Sequence, residues 1–358
     1  MFKKLIRNFR WQRTADKHGP RRLTVFEADS GQIKAVSLER SGQGVAWRGA
    51  REFKPFELEA GELAGQIKAR VAEIDRETQY LSIIVGDNAG LVRLLNFPGD
   101  PPAKLEKTEE QTRQALGIDD SFSTRQSLLP TVSDNAERKR DKEYAVLAAA
   151  MKRETIDIWR NAVIEAGKTP VSLVPAGIVI ANLATAEMQE ADPENITGFI
   201  CLSSQFSILL LYRHERLLLA RQFKTGIATF VDGLAEALGL DRQTAREILG
   251  SGSFDLSESM PPNVNNWMRQ VGISLDFIER HYGQKVSSLR LHCNDIDSAK
   301  VLRDTLAANV DRQIDEWNQF RALSNIDNHT PDQNPTAGFA KPLCEAWRVM
   351  REGIKNEA

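Results

Sequence analysis

Cysteine is scarce in this chain: Cys201, Cys293 and Cys344 are the only three in 358 residues, and no two stand at CxxC spacing. A disulfide framework or a thiolate zinc site is therefore not expected. The five histidines, His18, His214, His281, His292 and His329, are scattered, with no HExxH or other paired spacing. No metal site is expected from them. Long apolar runs are missing as well. The longest, residues 144–151, falls far short of the roughly 18 residues a membrane-spanning helix needs. The basic start is not followed by the apolar stretch of a signal peptide. Together these absences lead to the expectation of a cytoplasmic protein.

What is present is an ordinary globular composition, 41% apolar and 27% charged, on a chain long enough for two domains. Its charge is uneven. Lys3, Lys4, Arg7, Arg10, Arg13, Lys17, Arg21 and Arg22 against Asp16 make residues 1–22 +7, so with a total of −2 the remainder carries −9. Within this arm Phe2, Leu5, Ile6 and Phe9 fall at i, i+3, i+4 and i+7, with Lys3, Lys4, Arg7 and Arg10 around them. That is the pattern of an interfacial helix, and each cation near an anionic leaflet is worth about 1 kcal/mol. The same residues also suit a solubilising arm, a nucleic-acid contact or a contact with another protein component. Of these, nucleic acid is not an expected partner.

The most informative stretch is a hairpin in the second half. Apolar runs at 198–202 and 206–212 flank the turn Ser203-Ser204-Gln205, and a third run follows at 217–223. A similar strand, turn, strand pattern occupies 23–39, with Asp29-Ser30-Gly31-Gln32 at its turn. Further strands are expected at 45–53, 80–85, 91–97, 144–150 and 286–293. Helices are expected at 61–74, 106–116, 226–238, 299–306 and 338–352. An amphipathic helix with Ile156, Trp159, Val163 and Ala166 on one face stops at Gly167, and Asp241 is placed to cap another. Val264, Trp267, Met268, Val271, Leu275 and Ile278 mark one face of a longer helix. The break Pro98-Gly99-Asp100-Pro101-Pro102 suggests an inserted subdomain at about 101–173. Both halves open with a hairpin and continue as α/β, as a duplicated domain would.

On these features the chain resembles the PilM family of type IV pilus assembly proteins, which is itself similar to the cell-division protein FtsA. The likeness lies in the hairpin at 23–39 ending in Ile33-Lys34, the passage 143–175, the hairpin and helix at 196–239, and the closing helix at 338–351. It implies a two-domain actin-like (ASKHA, ribonuclease H-like) α/β fold with a 1C-type insert. The expected boundaries are an arm at 1–21, a first domain at 22–195, a second at 196–335 and a closing helix at 336–358.

The resemblance places phosphate-binding turns at the two hairpins, where Ser30, Gly31, Gln32, Lys34, Ser203, Ser204, Gln205 and Ser207 stand. These residues are equally ordinary turn chemistry. The family's magnesium-side acid becomes Glu27, and the phosphate-facing glycine becomes Asp29, whose carboxylate repels phosphate. The aspartate that would orient an attacking water is Cys201, which cannot serve as that base. A glycine-rich adenosine loop is replaced by Cys293-Asn294-Asp295, and the lysine beside the ribose by Leu249. Hydrolysis is therefore expected to be absent and no cofactor is expected, with magnesium-ATP as the alternative. The implied function is that of a non-catalytic adaptor, peripheral to the inner membrane, which takes the short cytoplasmic tail of a PilN-like protein. Leu95, Phe97, Trp159 and Val163 are the candidates for that groove. Other pilus components and an anionic membrane surface are further expected partners. A nucleotide-switched ATPase, an FtsA-like polymerising scaffold and a type II secretion adaptor remain competing readings.

Overall fold

The computed structural model describes residues 20–30, 32–41, 44–53, 63–74, 76–86, 90–102, 105–129, 143–188, 192, 194–251, 262–294, 296–310, 312–324 and 337–354. The arm residues Phe2, Lys3, Lys4, Leu5, Ile6, Arg7, Phe9 and Arg10, and Gly31 in the first turn, lie outside them. The chain forms two compact units, one up to Leu183 together with the residues from Leu323 onward, the other Ala184–Ala322.

In the first unit β1 (Arg22–Asp29), β2 (Gln32–Ser41) and β3 (Gly44–Phe53) form an antiparallel meander. After α1 (Leu63–Ala72), β4 (Tyr80–Val85) returns parallel to β1. The chain then leaves this sheet for β5 (Gly90–Pro98), a 3-10 turn, α2 (Glu109–Leu116), β6 (Phe122–Leu128) and β7 (Glu143–Lys152). Here β7 pairs antiparallel with both β5 and β6. Next α3 (Arg153–Glu165) leads to β8 (Thr169–Pro175), which pairs parallel to β4 and completes the order β3-β2-β1-β4-β8. The helix α4 (Ala176–Glu187) follows.

The excursion is thus shorter than the sequence suggests. Residues of α3 pack with α1 and the first sheet in one core that includes Phe26, Phe53, Ile67, Ile83, Trp159 and Val163. The proline-rich break falls after β5, whereas the excursion begins before β5 and ends with β7, so α3 and β8 are part of the main sheet layer.

The second unit repeats the plan. A meander of β9 (Ile196–Leu202), β10 (Ser207–Arg213) and β11 (Arg216–Phe223) leads into α5 (Ile227–Leu238), α6 (Arg242–Ser251) and α7 (Pro262–Tyr282). Then β12 (Val286–Cys293) returns parallel to β9. After α8 (Ile296–Val310), the short β13 (Ile314–Glu316) extends the order to β13-β12-β9-β10-β11. This order matches β8-β4-β1-β2-β3, the internal duplication expected from the paired hairpins. The expected α7 stripe is buried in full, from Val264 to Ile278. Each such side chain contributes about 1.5–3 kcal/mol on burial. After α9 (Gln319–Ser324), α10 (Ala340–Ile354) packs against β1 and β2, so the closing helix belongs to the first unit.

Candidate functional site

The first turn is built by register. Asp29 pairs with Gln32, and Ser30 follows Asp29 in the turn between them. Ser30 has φ 51°, in the left-handed region that such tight hairpin loops require. Its hydroxyl donates to Asp29 Oδ1 at 3.2 Å, and Asp29 itself is buried. The end of β4 passes directly beside it: a Cβ on Gly86 would lie 2.9 Å from Asp29 Cβ. Gln32 donates its amide to Glu52. Lys34 is half-buried, faces Glu27 across the hairpin and reaches Gly338 ahead of α10. Glu27 is ion-paired with Lys341.

The second turn is occupied by its own protein contacts. Ser203 and Ser207 are fully buried. Trp267 Nε1 donates to Ser207 Oγ at 2.7 Å, and Asn294 Nδ2 approaches Ser203 Oγ at 3.5 Å. The first N–H groups of a helix lack partners within the helix and are natural donors to an anion. In α5 two of them are taken: Ile227 N donates to Ser203 O at 3.0 Å and Ala228 N to Ser204 O at 2.9 Å. Gly226 makes this closure feasible, since a Cβ there would lie 2.5–2.6 Å from Ser204 O, Phe206 N and Ser203 O. Ser204 and Gln205 stay partly exposed. Cys201 is buried and accepts a long contact of 3.8 Å from Gln319 Nε2. Leu249 is part of the second unit's core.

The four expected groove residues do not come together. Trp159 and Val163, 4% and 0% exposed, face the main core beneath the first sheet. Leu95 and Phe97 belong to a separate small core with Leu116 and Ala148, and Phe97 meets Tyr144 at 5.6 Å between ring centroids. An amphipathic stripe shows that a helix buries one face, but not which layer it buries it against.

An open cleft does exist nearby, lined by Ser123, Arg125, Ala149, Met151, Ile156, Leu173 and Pro175. It lies where β6 and β7 meet the start of α3 and the end of β8. Sequence reasoning assigned it no role, although Ile156 had been placed on the apolar face of α3. Among the described residues, β6 pairs with β7 alone, so its other edge faces no strand.

No helix among the described residues is long and apolar enough to cross a membrane, and no cluster of His, Cys, Asp or Glu among them is arranged to hold a metal. No protein-family profile and no curated protein matches the chain. Among solved structures, a chain of the PilM–PilN type IV pilus biogenesis complex is 18% identical, with 92% of this chain and 98% of that one covered and a TM-score of 0.69. A Bacteroides thetaiotaomicron protein of actin-like ATPase fold is 9% identical over 87% of this chain and 98% of that one, TM-score 0.48. The ethanolamine utilization protein EutJ from Carboxydothermus hydrogenoformans is 11% identical over 94% and 91%, TM-score 0.45. The chain has the two-unit actin-like fold, and over most of its length that fold is the one seen in the PilM–PilN complex.

Proposed function

We propose that this chain is a non-catalytic adaptor of a type IV pilus or related machine. It sits in the cytoplasm at the inner membrane and binds the short cytoplasmic tail of a PilN-like protein. The observation that carries this reading is the likeness, over nearly the full length of both chains, to a chain of the PilM–PilN complex. The occupied second turn supports its non-catalytic half.

An actin-like fold implies magnesium-ATP, and the residues present do not fit it. Asp29 puts a carboxylate at the first turn, Ser203 and Ser207 are buried in protein contacts, and the first N–H groups of α5 bond to the turn carbonyls. An incoming phosphate would have to break those bonds before gaining its own.

Tail binding needs apolar pockets and open backbone groups, and no catalytic residue. The cleft of Met151, Ile156, Leu173 and Pro175 offers the first, with Arg125 at its rim, and the outer edge of β6 offers the second. An extended tail with an apolar anchor and an acidic side chain suits both. The test is calorimetric titration of the full chain with the tail peptide. Ile156→Asp is expected to weaken binding at least roughly tenfold, equivalent to about 1.4 kcal/mol. Unchanged affinity in a folded Ile156→Asp protein would move the groove elsewhere.

A further inference from the structure

Lys341 occupies a position that is doubly unfavourable for an ammonium. It is 3% exposed, and it lies in the first turn of α10, where the partial positive charge of a helix N-terminus repels cations. Burial also deprives the ammonium of its hydration. The group that offsets both effects comes from the far end of the chain. Glu27 on β1, also 3% exposed, is ion-paired through Oε1 with Lys341 Nζ. Two further charges on α10, Glu345 and Arg348, are committed elsewhere. Glu345 accepts the hydroxyl of Ser172 at 2.7 Å, and Arg348 Nε donates to Glu345 at 2.6 Å. Glu27 Oε2 is buried without a hydrogen-bond partner among the described residues.

The geometry points to Lys341 as a built-in counter-cation that takes the place of a divalent metal at the Glu27 carboxylate. Glu27 is the residue that the family resemblance assigns to the magnesium side. A magnesium ion there needs about six oxygens in near-octahedral arrangement, whereas Glu27 offers one free oxygen beside an ammonium already in contact with the other. Binding the ion would place two cations against one carboxylate in a desolvated site, and Lys341 has no water to retreat into. The charge of the Glu27 carboxylate is therefore satisfied without a divalent cation. Removing the ammonium while leaving space should turn the same carboxylate into a weak cation site. This inference rests on the Glu27–Lys341 pair and is independent of where the partner tail binds.

The experiment compares melting temperatures of the full chain in EDTA and in millimolar magnesium, manganese or calcium chloride. The wild type is expected to melt at the same temperature in all of them. Lys341→Ala leaves a cavity beside a carboxylate that has lost its ion-pair partner, with Lys34 still facing it across the hairpin; it is expected to melt lower in EDTA and to recover by about 5 °C with a divalent cation. Lys341→Met fills the space without charge and is expected to melt lower without recovering. The double variant Glu27→Gln with Lys341→Ala is expected to show no cation effect. A divalent-dependent shift in the wild type would overturn the inference, and so would a Lys341→Ala protein indifferent to divalent cations. If Lys341→Ala does not fold in EDTA, the same comparison is made on refolding yield, where rescue by a divalent cation supports the inference and its absence contradicts it.

Discussion

The backbone N–H of Ile227 donates to the carbonyl of Ser203 at 3.0 Å. This bond ties the start of α5 to the turn between β9 and β10, and with Ala228 N to Ser204 O it uses donors that an anion-binding turn would leave free. The second turn is thereby a structural joint.

Gly226 is the residue this joint depends on. Its φ of −128° suits any residue, so the constraint is space: a Cβ would sit 2.5–2.6 Å from three backbone atoms that cannot move aside. Gly226→Ala is expected to destabilise the protein by about 1–3 kcal/mol, as overpacking does. Urea denaturation measures it, with a lower midpoint expected.

Ser207 tests whether the turn hydroxyls are structural. Ser207→Ala strands the indole N–H of Trp267, which bonds it at 2.7 Å in a buried setting, and an unsatisfied buried donor costs about 1–3 kcal/mol. Ser204→Ala, at a partly exposed position, is expected to change stability by less than about 0.5 kcal/mol. Equal losses in both variants would contradict the distinction.

Trp159→Ala separates core from groove. Trp159 is 4% exposed in the main core of the first unit, so truncation is expected to cost about 3–5 kcal/mol. Tail affinity of the fraction that remains folded is expected to be unchanged, whereas Ile156→Asp, at a partly buried position packed against the same core, is expected to lose tail affinity and some stability as well. The two variants are compared by denaturation and by calorimetry.

Asp241 gives a pH dependence with a defined sign. Its carboxylate accepts the N–H and hydroxyl of Thr244 and the N–H of Gln243. These bonds, that of the Thr244 N–H first, hold its pKa below the usual 3.8. A group whose pKa is lower folded than unfolded contributes stability that is present above the unfolded value and lost as pH falls through the folded one. Asp241→Ala is therefore expected to cost stability at neutral pH and to flatten the acid limb of the stability curve below about pH 4. A parallel shift of the whole curve would contradict this assignment.

Much of the fold could be read from local pattern. The runs that became β4, β9 and β10 are short, apolar and bounded by turns, and α7 shows its buried stripe at helical spacing. Two elements lacked that signal. In α4 every residue is buried, so the sequence has no polar face to set a period. In β6 the buried positions include Thr124, Gln126 and Ser127, which read as loop. The site was less legible because its decisive contacts are long-range. Trp267 reaches Ser207 across 60 positions, and Lys341 reaches Glu27 from the opposite end of the chain. Spacing can propose that a serine lies in a turn, but only the tertiary fold shows that its hydroxyl is already in use.

The central claim is that this chain binds a partner tail without help from nucleotide. Its most direct test is a calorimetric titration of the tail peptide into the full chain, with and without saturating magnesium-ATP. The account predicts the same dissociation constant in both conditions. A shift of tenfold or more, about 1.4 kcal/mol of coupling, would make the chain a nucleotide-switched scaffold and contradict it.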